Sequence, residues 1–225
     1  MIKNSKTKLT LHPLFFLPSF GGLGEGLGLG RLFILFISIL CFSCQTTMTK
    51  KEKELIYSVS DNISSRVLLT TNEEDSLFLR KKCRNIKPIK NNPDLQCLIK
   101  LLRTTLEAEN GVGIAAPQIG IARNVFLFMR IDKPERPVEA VINPKITAYS
   151  DEMACFEHDG CLSIPDISGN SLRHKWIEVE YYDENGTKIK EHLEGHSRFD
   201  NFAGIIFQHE YDHLQGVLFI DKLCE

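Results

Sequence analysis

The chain predicts an α+β fold, with antiparallel β-strands packed around a central metal-binding helix. Three observations lead there. Short apolar runs at strand spacing fill the second half of the chain, and one pair flanks Glu184-Asn185-Gly186, a hairpin signal. Leu95, Leu98, Ile99, Leu102 and Leu106 recur at helical spacing. Near the C-terminus, Ile205, Ile206, Phe207 and Leu214 surround His209-Glu210-Tyr211-Asp212-His213, so a helix carrying polar chemistry sits in the core.

The N-terminal region reads differently from the rest. Lys3, Lys6 and Lys8 precede a Gly/Leu-rich stretch at 21–30, and Arg31 opens an apolar run at 32–42. That run is too short to span a bilayer but suits the apolar region of a signal peptide. Ser43-Cys44 follows, then Gln45-Thr46-Thr47, which resembles a loose bacterial lipoprotein cleavage site with Cys44 as a lipid anchor. Residues 1–44 are therefore expected as a leader, 45–74 as a polar linker and 75–225 as the catalytic domain. With that leader the protein is a membrane-anchored lipoprotein. With translation starting at Met48 it is cytoplasmic.

Within the domain, Asn92-Pro93-Asp94 predicts a helix N-cap with Pro in the first turn, and Asn110-Gly111 ends that helix. Strands are expected at 124–130, 140–143, 177–182 and 188–193. A last helix covers 201–214, and 217–220 forms a short final strand. The segment Leu162-Ser163-Ile164-Pro165 reads as a strand or loop edge.

The chain has 225 residues, 43% hydrophobic and 25% charged, which fits one globular domain plus extras. Residues 1–44 hold four of the 27 basic residues and one of the 29 acidic ones, so the remainder carries 23 and 28 and is acidic. That balance argues against a nucleic-acid partner. The seven cysteines are too few for a disulfide framework at this length. Cys83, Cys97, Cys155 and Cys224 read as small buried hydrophobes. The protein is expected to be a monomer.

His209 and His213 lie four residues apart on a helix, about 40° around its axis, and can grip one cation. Glu210 is turned roughly 100° from His209. It can reach a water held by that cation but not the cation through the same face. This is the physical content of the His-Glu-x-x-His pattern, two ligands plus a general base. Two buried imidazoles and a buried carboxylate need partners, and a metal supplies them. A catalytic site needs a third protein ligand and an open position. Only residues 216–225 follow the helix, so the third ligand is sought upstream, where Cys161 is the best candidate. Gln118 is the kind of side-chain donor that stabilises a developing oxyanion. Glycines at 111 and 113 let a substrate backbone come close.

Three segments, in order, resemble the signatures of the peptide deformylases: Gly111-Val112-Gly113-Ile114-Ala115-Ala116-Pro117-Gln118, Asp159-Gly160-Cys161-Leu162-Ser163, and Gln208-His209-Glu210-Tyr211-Asp212-His213-Leu214. The resemblance spans roughly 75–223 and implies a peptide deformylase-like fold. It implies that Cys161, His209 and His213 hold one divalent metal, ferrous iron by preference, with Zn2+, Ni2+ or Co2+ able to replace it. It implies Glu210 as general base and acid, and Gln118 with the Leu162 amide as donors to the formyl oxygen. Gly113 and Ile114 would pair with an N-formylmethionyl peptide substrate, and the product would be formate. The chain departs from the pattern at Asp159, where Glu is usual, and at Ile205 and Ser168, where Arg is common. The competing readings are a zinc peptidase of the His-Glu-x-x-His type and a non-catalytic binder of formyl peptides.

Overall fold

The computed structural model of the protein describes residues 47–58 and 63–224. The expected leader at 1–44, with its anchor at Cys44, lies outside the described residues. Among the described residues no helix is long and apolar enough to cross a membrane.

In chain order the helices are α1 (Lys50–Ser58), α2 (Glu73–Leu79), α3 (Pro93–Ala108) and α4 (Ala203–Gln215). The strands are β1 (Gly113–Ala115), β2 (Val125–Met129), β3 (Val138–Tyr149), β4 (Met153–Cys161), β5 (Ile164–His174), β6 (Trp176–Tyr182) and β7 (Lys188–Glu194). Five strands form an antiparallel sheet in the order β1-β2-β3-β6-β7, and β4 pairs with β5 in a second, two-stranded sheet.

Strand periodicity sorts the core into two layers. Successive side chains of a strand point to opposite faces. Val125 and Leu127 therefore join the α3 leucines on one side of the sheet. Phe126 and Phe128 meet α4 on the other. The Phe207 ring stands edge-on to both, with centroids 4.9 Å from Phe126 and 5.5 Å from Phe128. Such edge contacts add roughly 0.5–1.5 kcal/mol per pair beyond the area they bury. Helix α4 is thus covered on nearly every side, as the apolar run around its histidines predicts.

The helix boundaries follow from their caps. The Asn92 side chain accepts from Leu95 N at 3.2 Å, and Pro93 occupies the first turn, as expected. The Asn201 side chain accepts from Ala203 N at 3.0 Å, so α4 begins two residues later than the sequence suggests. Gly216 closes α4 at φ 75°, and a side chain there would run into the Arg80 backbone.

Several elements differ from the sequence expectation. The final segment is a 3-10 turn at Phe219–Lys222 rather than a strand. It is closed by Leu218 N donating to the Asp221 carboxylate at 2.9 Å. Leu223 then bridges Ser171 on β5. Cys155 and Cys224 are not buried hydrophobes: Cys155 is exposed, and the two are joined by a disulfide across 69 residues. Cys83 is buried as expected, and Cys97 is half-buried. Strands β4 and β5 carry Gly, Pro, Asp and Asn that break the period-2 pattern. His158 and Asp166 sit at positive φ, and the ladder shifts register between Phe156 and Asp159.

Part of the stretch expected as a polar linker carries α1. Thr49 and Glu52 cap it reciprocally, with Thr49 N donating to Glu52 Oε2 at 2.7 Å and Glu52 N to Thr49 Oγ1 at 3.2 Å. Ile56 is buried in the α3 layer.

Candidate metal centre and cleft

Cys161 at the end of β4 meets His209 and His213 on α4. Their donor atoms all lie within 4.8 Å of one another. Cys161 Sγ is 3.2 Å from His213 Nε2. Metal–donor bonds of about 2.0–2.3 Å put the donors of one tetrahedral ion roughly 3.3–3.7 Å apart, so this set needs little adjustment to hold a cation.

The His209 ring is held from behind. His209 Nδ1 is 3.0 Å from Asp159 Oδ1, which leaves Nε2 for the metal side. The His209 ring also stacks on Phe219 from the C-terminal turn, at 6.2 Å between centroids. Asp159 Oδ2 accepts from Ser171 Oγ at 2.6 Å and from Arg173 Nη2 at 2.9 Å. Arg173, whose side chain has no exposed surface, spans to Asp212 Oδ2 at 2.6 Å. Asp212 in turn accepts from Lys222 Nζ at 2.8 Å. The shorter carboxylate at 159 therefore still reaches its histidine. Ser171 and Arg173 were not singled out from sequence, because the broken periodicity of β5 hides their burial. Asp212, inside the third motif, could have been found from its place one turn beyond His209.

The electrostatics follow from this geometry. Burial works against charge on Asp159, but His209 and Arg173 hold its carboxyl well below the usual range. Burial also disfavours a charged His209, yet Asp159 and the Cys161 sulfur outweigh it and raise its pKa. His213 is pushed low by burial, by His209 and by Arg173, so it offers a free lone pair. Burial pushes the Glu210 carboxyl up to about 7.

Two buried atoms here, Glu210 Oε2 and His213 Nδ1, find no hydrogen-bond partner among the described residues. A buried carboxylate oxygen without a partner is costly unless a water or ligand completes it. Glu210 also explains Gly113. A Cβ there would overlap the Glu210 carboxylate and lie 2.8 Å from its Cδ. Gly113 thus makes room for the acid, a role the sequence reading did not assign to it.

Gln118 is aimed by its own backbone turn. Its Oε1 accepts from Ala115 N at 2.8 Å, so Nε2 must face Cys161 Sγ at 3.6 Å and Ser163 Oγ at 3.2 Å. Gln208 clamps α4 to β5, donating to His174 O at 2.8 Å and accepting from His174 N at 3.0 Å.

A cleft of about 570 Å³ opens over these groups. Gly113, Gln118, Cys161, Leu162, His209 and Glu210 all line it. Its apolar walls include Val112, Ile164, Phe202, Ile205 and Ile206. Ile114 is fully buried with its side chain in the α3 layer, so only its backbone can meet a ligand. Of the predicted site residues, His213 and Ile114 stand behind the cleft surface and the others front it. Ser168 is not among the lining residues.

A family model described as Polypeptide deformylase matches residues 66–225. The peptide deformylase of Pseudothermotoga lettingae is 40% identical over 145 residues, covering 64% of this chain and 77% of the relative. The crystal structure of peptide deformylase from Thermotoga maritima is similar at 32% identity and TM-score 0.62, covering 72% of this chain and 99% of that one. The Met-ala-ser bound class I type b peptide deformylase from Acinetobacter baumannii is 30% identical at TM-score 0.62, with the same coverage.

Proposed function

Because the chain belongs to the polypeptide deformylase family, we propose that it hydrolyses the formyl group from N-formylmethionyl peptides and releases formate, using one divalent ion held by Cys161, His209 and His213. The observation that carries this reading is the close set of one sulfur and two imidazoles with the buried, unpartnered Glu210 oxygen beside it. A thiolate with two imidazoles suits zinc or iron, and ferrous iron is the ion the family resemblance implies. Zn2+, Ni2+ or Co2+ are alternatives.

When bound, the cation supplies Lewis acidity, drawing the pKa of a water toward neutrality and polarising the substrate carbonyl. Glu210 takes the proton from the attacking water and later returns it to the leaving nitrogen. Its elevated pKa, about 7, suits a group that must both accept and give a proton near neutral pH. The negative charge on the formyl oxygen is met by Gln118 Nε2 and the Leu162 amide. Gln118 needs no rotation to do this, since Ala115 N already fixes its other end. The apolar wall of Val112, Ile205 and Ile206 receives the methionine side chain. Strand β1 is the edge of its sheet, which lets the peptide lie alongside Gly113 and Ile114 as an added strand. In the Acinetobacter baumannii relative the bound molecule is a Met-ala-ser peptide. A binder without turnover would have no use for a buried base at this position. A zinc peptidase would not need Cys161.

Replacing Glu210 with Ala and assaying formate release from a short formyl-Met peptide without air tests the scheme. The expected loss is about 10²–10⁴-fold with the metal retained. Near-normal turnover rejects it.

A further inference from the structure

We propose that Ser171 is a positioning residue: it locks the short Asp159 side chain in the one orientation that aims the His209 ring at Cys161. The inference rests on the metal site proposed above. An aspartate carboxyl turns about a broad, roughly two-fold torsion, so nothing in its own chain decides which oxygen faces a neighbour. Here the decision is made by two donors on a single oxygen. Ser171 Oγ at 2.6 Å and Arg173 Nη2 at 2.9 Å both converge on Oδ2. Oδ1 is left for His209 Nδ1 at 3.0 Å.

Arg173 gives Asp159 a single bond, from Nη2, because its Nη1 is engaged by Asp212 at 2.6 Å. The same Ser171 hydroxyl accepts from Arg173 Nε at 3.1 Å and so fixes the guanidinium as well. Ser171 is fully buried on β5 and does not line the cleft, so it acts through Asp159 and not on substrate. A glutamate at 159 would extend one methylene further, into the space the hydroxyl fills. The two positions should therefore be coupled, short acid with serine or long acid with alanine.

Cobalt titration of the air-protected full chain tests this, following the visible ligand-field bands of Co2+ and its affinity against a competing chelator. Wild type should bind one Co2+ per chain. S171A should bind about 10–100-fold more weakly, with shifted bands, while still unfolding cooperatively in urea at a lower midpoint. The D159E/S171A double variant should recover affinity to within about threefold of wild type, well beyond what additive losses allow. S171A binding like wild type, or a double variant no tighter than S171A, overturns the proposal. Where S171A does not fold, D159E is compared with D159E/S171A. The double must bind more tightly, and equal or weaker binding overturns the coupling. A wild-type chain that takes up no Co2+ overturns the metal reading itself, and this inference with it.

Discussion

Arg173 and Arg123 are both fully buried and both neutralised by carboxylates, yet they serve different ends. Arg123 meets Glu52 in two parallel bonds, Nε to Oε1 at 2.9 Å and Nη2 to Oε2 at 2.8 Å, and also reaches the backbone of Asn85 at 3.3 Å. Glu52 Oε2 is at the same time the cap of α1. Through Glu52, Arg123 is tied to a helix terminus, and this fastens α1 to the domain. The Arg173 network instead runs through Asp159 to His209, and so to a ring nitrogen that faces Cys161. Burial of a charged pair is weak evidence for stability or for function taken alone. Where the chain of contacts ends tells the two apart.

The largest effect that can test this contrast is at Arg173. Arg173→Met removes the buried guanidinium that Asp159 and Asp212 share, leaving Asp159 with His209 and Ser171 and Asp212 with Lys222, and should cost about 3–5 kcal/mol of folding free energy, with loss of the metal. Urea unfolding and metal analysis measure both, and an intact metal site in a well-folded variant would break the comparison. Arg123→Met should cost less, about 1–3 kcal/mol, because a short helix at the edge of the domain can let Glu52 turn toward water. Folded Arg123→Met protein should keep its metal and its turnover. A variant that loses metal would place Arg123 in the site after all.

The smallest effect is a pH dependence at Glu52. Burial pushes its carboxyl up, but Arg123 and the Thr49 contacts outweigh that and hold it below its ordinary 4.5. The unfolded state therefore takes up the proton first. The stabilisation is complete above about pH 4.5 and fades as pH falls through the lower folded value. The stability difference between wild type and Glu52→Gln should shrink on acidification from about pH 6 to about pH 3. A difference that grows instead would mean that the pair is not ionic.

The same contrast shows what the amino-acid sequence could reveal. His209, Glu210 and His213 were legible because one helical turn fixes their geometry. Cys161 and Gln118 were legible because their motifs stand beside glycines in recognisable order. The long helix α3 and the hairpin of β6 and β7 carry clean periodicity and clear caps. Arg173 and Ser171 were hidden, since β5 is interrupted by Pro165, Asp166, Gly169 and Asn170 and shows no alternation. Helix α1 was hidden because only Glu52 and Ile56 of its nine residues are buried. An apolar run as short as 217–220 fits a strand or a turn equally well, and the Leu218–Asp221 contact decides for the turn. The Cys155–Cys224 bond joins residues far apart in the chain, and spacing alone cannot pair cysteines.

Whether Cys161 is a ligand is the point on which the chemistry turns, and metal content measured without air in wild type and Cys161→Ala, side by side, tests it most directly. One transition-metal ion per wild-type chain and almost none in a folded Cys161→Ala protein is the result expected. A Cys161→Ala protein that still holds a full equivalent of metal would contradict it.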